Sequence, residues 1–265
     1  QAEDGIRDVE RSRGLGDVYK RQDNPLIEPS EVERARRMLD KKFFRQQYEA
    51  SFEAYLGQVY DEFSVENIVD FNPHVNWESF VACDFGWRHP TALLWAQRSP
   101  KGDIYVCDEV VESYMTPGNI ANILRGDKVK LPSGMVFKAP FGIEMTKSII
   151  TGFEATQNRQ ESGGLAIIDM LRNMGIERIK VIGGSIVRGV FLLRSKILDA
   201  HGIRHIFIHP RCKRLIDDFR GYHYPENASG AASELPKKDG IHDHTMDAIR
   251  YMVMELEKSS GKWMV

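Results

Sequence analysis

Three apolar runs, FVACDFG, TALLWAQ and IYVCDEVV, follow one another within residues 80–111 with only WRHP and RSPKGD between them. Connections that short cannot carry a crossover helix, so the runs are expected to be sequential antiparallel strands. The pattern then changes to alternation. A helix is expected over 116–124, a strand over 149–154, a helix over 164–174 closed by Gly175, and a strand at IKVIGG. A helix over 187–200, the strand HIFIHP, a helix over 212–219 and a last helix over 243–257 follow. Strands separated by helices favour parallel pairing with the helices covering the sheet. The expected class is therefore α/β, with a mixed sheet of three antiparallel strands followed by parallel ones.

The flanks read differently. Residues 1–22 are polar and rich in Arg, Asp and Gly without apolar periodicity, and the stretch SRGLGDVYKRQ is similar to translated adapter DNA. A non-native or flexible leader is expected there. From Pro29, Ser30 can cap a helix with Glu33 at the capping-box position, and Met38, Leu39, Phe43, Tyr48, Phe52 and Tyr55 supply its apolar anchors. Residues 23–76 thus read as a helical linker that packs on its neighbour, and 77–265 as the domain proper. Residues 224–239 lack periodicity and read as a loop or hairpin.

The formal net charge is only −2, so any contact with nucleic acid must come from a local basic surface. Cys83, Cys107 and Cys212 are widely spaced, with no CxxC pair and no histidine at zinc-finger spacing. Cys83 and Cys107 sit in apolar runs and are expected to be free core thiols in a reducing compartment. No apolar stretch approaches the roughly 20 residues that span a bilayer, and the cytoplasm is the expected location.

Two places carry chemistry. Asp84 closes the otherwise apolar strand FVACD, where a carboxylate must be paired, ligated to a cation, held at the strand's open end, or used to form the turn before Phe85 and Gly86. In GIHDHTMDAIRYMVMELE, helical spacing puts Asp243, His244 and Asp247 on one face. Two carboxylates and an imidazole together favour a bound cation; the alternative is that Asp243 caps the helix while Asp247 pairs with Arg250 or Arg188. A basic set, Arg204, Arg211, Lys213, Arg214 and Arg220 with Lys237 and Lys238, is the candidate contact for DNA phosphates.

The segment DHTMDAIRY resembles the C-terminal signature of nuclease domains in phage terminase large subunits, written D-H-x-x-D-A-x-R-Y. Residues 81–97 resemble the first acidic motif of those domains, and FFRQQYEASFEAYLGQVYDEF resembles the segment that follows the packaging motor. The resemblance implies a ribonuclease H-like fold with acids on the first strand, at the end of the fourth strand and on the last helix. It makes Glu154 the middle acid, with Glu144 as fallback, although GFEATQNRQ departs from the Asp-Pro-Ala-Gly-like sequence usual at that place. It implies a two-metal DNA endonuclease in which Asp84, Glu154 and Asp247 are catalytic and Asp84, Glu154, Asp243, His244 and Asp247 hold two Mg²⁺ or Mn²⁺ ions.

Concatemeric viral double-stranded DNA would be the substrate, cut during genome packaging in the infected cell. Portal protein and the small terminase subunit would be partners, with no membrane, and the isolated domain would be monomeric. No G-x-x-x-x-G-K-[ST] occurs, so ATP hydrolysis is not expected of this chain. Two other readings stand beside this one. The first is a resolvase or transposase core using the same acids; the second is a domain that only binds DNA or the portal.

Overall fold

The structure is a computed structural model that describes residues 28–38, 44, 57–158, 165–225 and 235–259. The expected leader over 1–22, the helix anchors Leu39, Phe43, Tyr48, Phe52 and Tyr55, the start of the helix at 164, and 226–234 of the expected loop lie outside those residues.

A first helix, α1 (Pro29–Met38), is followed by the segment from Gly57 that leads into the sheet. Strands β1 (Glu78–Asp84), β2 (Thr91–Arg98) and β3 (Ile104–Glu112) form an antiparallel meander, as their short connections require. Helix α2 (Pro117–Arg125) comes next, started by Thr116 and Asn119 in a reciprocal capping arrangement. A small hairpin of β4 (Lys128–Lys130) and β5 (Val136–Lys138) then intervenes. It was not among the expected elements, because strands of three residues are too short to show an alternation that stands out.

The rest alternates. β6 (Thr146–Gly152), α3 (Ile167–Asn173), β7 (Ile179–Ile182), α4 (Ile186–Ile197), β8 (Ile206–Ile208), α5 (Lys213–Gly221) and α6 (Asp243–Ser259) complete the described fold. The main sheet has six strands in the order β7-β6-β1-β2-β3-β8. β6 pairs parallel with β1, β7 parallel with β6, and β8 parallel with β3, so the antiparallel meander is flanked on both sides by parallel strands. This is the mixed, ribonuclease H-like sheet expected.

Alternate residues of β1 feed two separate cores. Phe80 and Ala82 face a layer that includes Leu193, Leu215, Phe219, Met246, Ile249 and Val253, whereas Val81 and Cys83 face Ile120, Leu124, Leu131 and Leu171. Both faces of β1 and β2 are therefore covered, which is why these strands read as nearly unbroken apolar runs instead of alternating ones. All three cysteines are free and buried.

The segment before β1 belongs to the first layer. Val59, Tyr60 and Phe63 are buried in it, and Phe63 stacks on Phe219 with centroids 4.4 Å apart. Buried Arg194 donates to the carbonyl of Val59 at 2.6 Å and pairs with Asp61 and Glu62. Among the described residues no helix is long and apolar enough to cross a membrane.

Candidate metal and nuclease site

The sheet's topology brings the acids together. β1 and β6 run parallel, with Cys83 opposite Thr151, so Asp84 and the residues after Gly152 emerge at the same edge. The chain turns there into a 3-10 turn, Phe153–Thr156, which carries Glu154 just beyond the strand and not within it. Glycine is needed at 152: a Cβ would lie 2.4 Å from the ring of Tyr251 and 2.5 Å from Glu154 Oε2. The N-terminal turns of α6 cross above this edge, held by Met246, Ile249 and Val253 in the core.

The result is a cavity of about 310 Å³ lined by Asp84, Glu154, Asp243, His244 and Asp247, together with Lys238, Tyr251 and the turn from Phe85 to His89. All five residues expected to hold metal thus line one cleft. Glu144 does not line it; it lies before Thr146, which pairs near Ser79 at the opposite end of β1. Tyr251, the last residue of the D-H-x-x-D-A-x-R-Y signature, and the turn from Phe85 to His89 are not among the expected site residues. Tyr251 was findable, because it stands four residues after Asp247 and so on the same helix face.

Each acid has a distinct environment. Asp84 Oδ2 accepts from His244 Nδ1 at 2.9 Å. Burial pushes its carboxyl above the ordinary carboxylate value and the fields of Asp247 and Glu154 add to the rise, while the bond from His244 opposes it. For His244 burial disfavours the charged ring, but the bond to Asp84 and the fields of Asp84, Asp243 and Asp247 outweigh that and raise its pKa. Glu154 Oε2 accepts from the Tyr251 hydroxyl at 3.2 Å.

Asp247 is the most engaged of the acids. Its Oδ1 accepts from Arg250 at 2.6 Å and its Oδ2 from Lys238 at 3.4 Å. The expected alternative pairing of Asp247 with Arg250 is thus present, yet it leaves Asp247 on the cleft wall. Among the described residues no three His, Cys, Asp or Glu side chains stand close enough to hold an ion as they are arranged.

Two buried atoms nonetheless lack hydrogen-bond partners here, Asp243 Oδ1 and His244 Nε2, and they are 3.8 Å apart. The hydrogen bond to Asp84 sets the orientation of the ring and turns Nε2 toward Asp243. A carboxylate that orients an imidazole in this way is a common support for a metal ligand. An oxygen-rich set with one imidazole suits Mg²⁺ or Mn²⁺ better than zinc. The donor types that line the cleft suit a divalent cation, and the side chains would have to close around it.

Two members of the basic set have several partners within the fold. Arg204 is committed within the fold: it donates to Glu66 at 2.8 Å, to Asn67 at 2.8 Å and to the carbonyl of Glu62 at 3.2 Å. Arg214 holds Asp218 at 2.9 Å and the carbonyl of Ile241. Both act as braces between segments, a role that residue type alone cannot distinguish from phosphate binding. Arg211 contacts His209 and Asp108 and keeps a half-exposed side chain, Lys213, Arg220 and Lys237 are exposed, and Lys238 reaches the cleft.

No family model matches the chain. It is 25% identical over 249 residues to the large terminase subunit of Escherichia phage T5, an alignment covering 89% of this chain and 50% of that protein. The large terminase of a thermophilic bacteriophage superposes with a TM-score of 0.68 at 20% identity, over 89% of this chain and 54% of that one. The P22 large terminase nuclease domain superposes with a TM-score of 0.52 at 18% identity, over 75% of this chain and 92% of that one. The chain spans about half the length of the full-length relatives it matches. It is similar in sequence to the T5 large terminase subunit and shares its fold with the nuclease domain of the P22 protein.

Proposed function

We propose that this chain is the nuclease part of a phage terminase large subunit, a metal-dependent endonuclease that cuts concatemeric double-stranded viral DNA during packaging. The observation that carries this is the convergence of Asp84, Glu154, Asp243, His244 and Asp247 on one cleft, with His244 Nε2 and Asp243 Oδ1 buried and lacking hydrogen-bond partners. The sequence similarity to the T5 protein favours a terminase over a resolvase or transposase core.

In this reading Asp84, Glu154 and Asp247 supply the anionic ligands, with Asp243 and His244 completing the set. Two divalent cations held there would stabilise the attacking and leaving oxygens of phosphodiester hydrolysis as Lewis acids. Asp84 orients His244 through Nδ1, the Tyr251 hydroxyl fixes Glu154, and Arg250 fixes one oxygen of Asp247. Lys238, at the longer distance of 3.4 Å, is the contact that Asp247 gives up most readily. Lys213, Arg220, Lys237 and half-exposed Arg211 offer phosphate contacts without base readout, so cutting has little sequence preference.

ATP hydrolysis is assigned to the motor of the full-length protein. Portal protein and the small terminase subunit are the partners of that whole assembly, in the cytoplasm of the infected cell. A non-catalytic DNA-binding or portal-binding role is the second reading, favoured by the engagement of Asp247 with Arg250 and Lys238. Incubation of supercoiled plasmid with the purified chain in Mg²⁺, Mn²⁺ or EDTA separates the two. Nicking with either ion and none in EDTA is expected; intact plasmid in every condition, with DNA binding retained, supports the second reading.

A further inference from the structure

An aromatic pair that the proposed cleavage chemistry does not use stands at the rim of the acidic cleft. It is built by the tight turn after β1. A Cβ at Gly86 would lie 2.2 Å from the carbonyl oxygen of His89, and the Thr91 hydroxyl closes the turn, accepting from Gly86 N–H at 3.2 Å and donating to the Gly86 carbonyl at 2.9 Å. The turn presents Trp87, which lines the cavity and is still 38% exposed.

Tyr114 meets Trp87 edge to face, with ring centroids 5.7 Å apart and planes at 89°. Its backbone N–H donates to the Trp87 carbonyl at 2.7 Å, and it is 55% exposed. It also has φ +60°, unique among the described non-glycine residues, a region that a bulky side chain rarely adopts. Large rings ordinarily contribute by burial, yet here two are held in fixed mutual geometry toward solvent beside the cleft. Arg88, the next residue of the turn, also lines the cleft, exposed and without a hydrogen bond or ion pair among the described residues.

We infer that Trp87 and Tyr114 form a stacking site for an unpaired nucleobase of the strand being cut, with Arg88 holding a neighbouring phosphate. This rests on the nuclease reading. Every base has a π face, so a ring platform flanked by a cation binds unpaired nucleotides whatever their sequence. In an intact duplex those faces are stacked on their neighbours; a base reaches Trp87 only where the pair has opened, which costs least at a mismatch.

Initial nicking rates in Mn²⁺ on two duplexes that differ by one central mismatch test this in the wild type, Trp87→Ala, Trp87→Phe and Tyr114→Ala. At subsaturating DNA the wild type should cut the mismatched duplex about tenfold faster, on the scale of one base–aromatic stack. Trp87→Ala and Tyr114→Ala should lose that preference and Trp87→Phe should keep most of it, which also shows that the turn still folds. A wild type that cuts both duplexes equally, or a preference that survives both alanine variants, overturns the inference and leaves the pair to a protein partner. A wild type that cuts neither duplex overturns the nuclease reading itself.

Discussion

His244 and Asp84, 160 positions apart in the chain, are joined by a hydrogen bond of 2.9 Å from the ring Nδ1 to the carboxylate. The bond orients the ring, and Nε2 is left without a hydrogen-bond partner, facing Asp243. In the proposed site, replacing His244 by Ala would remove one ligand and release Asp84, so affinity for Mn²⁺ should fall by at least about tenfold, the lower end for lost support of a metal ligand. Calorimetric titration of Mn²⁺ into both proteins measures it, and equal affinities would contradict the role given to His244.

Asp247 carries a structural role along with the chemical one proposed for it. Arg250 is buried, and Asp247 is its acidic partner at 2.6 Å. Asp247→Ala should therefore destabilise the fold by about 3 kcal/mol, since it leaves a buried charge uncompensated. Adding Arg250→Met should restore most of the melting temperature without restoring DNA cutting. If the double variant melts as low as the single one, the buried guanidinium is not the cause.

Salt dependence locates the DNA contact. Each phosphate-binding cation removed should lower the slope of log affinity against log salt by about one and weaken binding evenly across sequences. Lys213→Ala, Arg220→Ala and Lys237→Ala are expected to behave so. Arg204→Ala should instead lower thermal stability and leave the slope unchanged, because that guanidinium ties Glu66 and Asn67 to the domain.

Glu109 links stability to pH. Its two carboxylate oxygens accept the backbone N–H groups of Arg214 and Leu215 at 2.7 and 2.9 Å, at the start of α5. Burial nonetheless raises its pKa from the ordinary 4.5 to about 7. The folded state then binds more protons than the unfolded one between those values, so this group's contribution to stability falls as pH rises through that window. Glu109→Gln should remove that loss: the gap in melting temperature between the wild type and the variant should shift in the variant's favour from pH 5 to pH 8. A gap that stays constant would show that Glu109 titrates normally.

Much of this was legible in the chain because local rules and global topology agree. Short turns dictated the meander, and the strand-end position of Asp84 with the i, i+3 and i+4 spacing of Asp243, His244 and Asp247 marked two walls of the cleft. What pattern could not reveal depends on long-range contact. Nothing in GFEATQNRQ says that Glu154 leaves the strand and folds back under Tyr251. Charge alone could not tell the braces Arg204 and Arg214 from exposed Lys213. Nor does WRHP announce that Trp87 is set against Tyr114, 27 residues away in sequence.

The central claim is that Asp84 makes this cleft a metal-dependent cutting site. Plasmid nicking by the wild type and Asp84→Asn in Mn²⁺, with circular dichroism of both, measures it most directly. A neutral amide keeps the shape of the side chain and removes the anionic charge a divalent ion requires. The account predicts superimposable spectra and loss of nicking in the variant. Nicking at the wild-type rate by Asp84→Asn would contradict it.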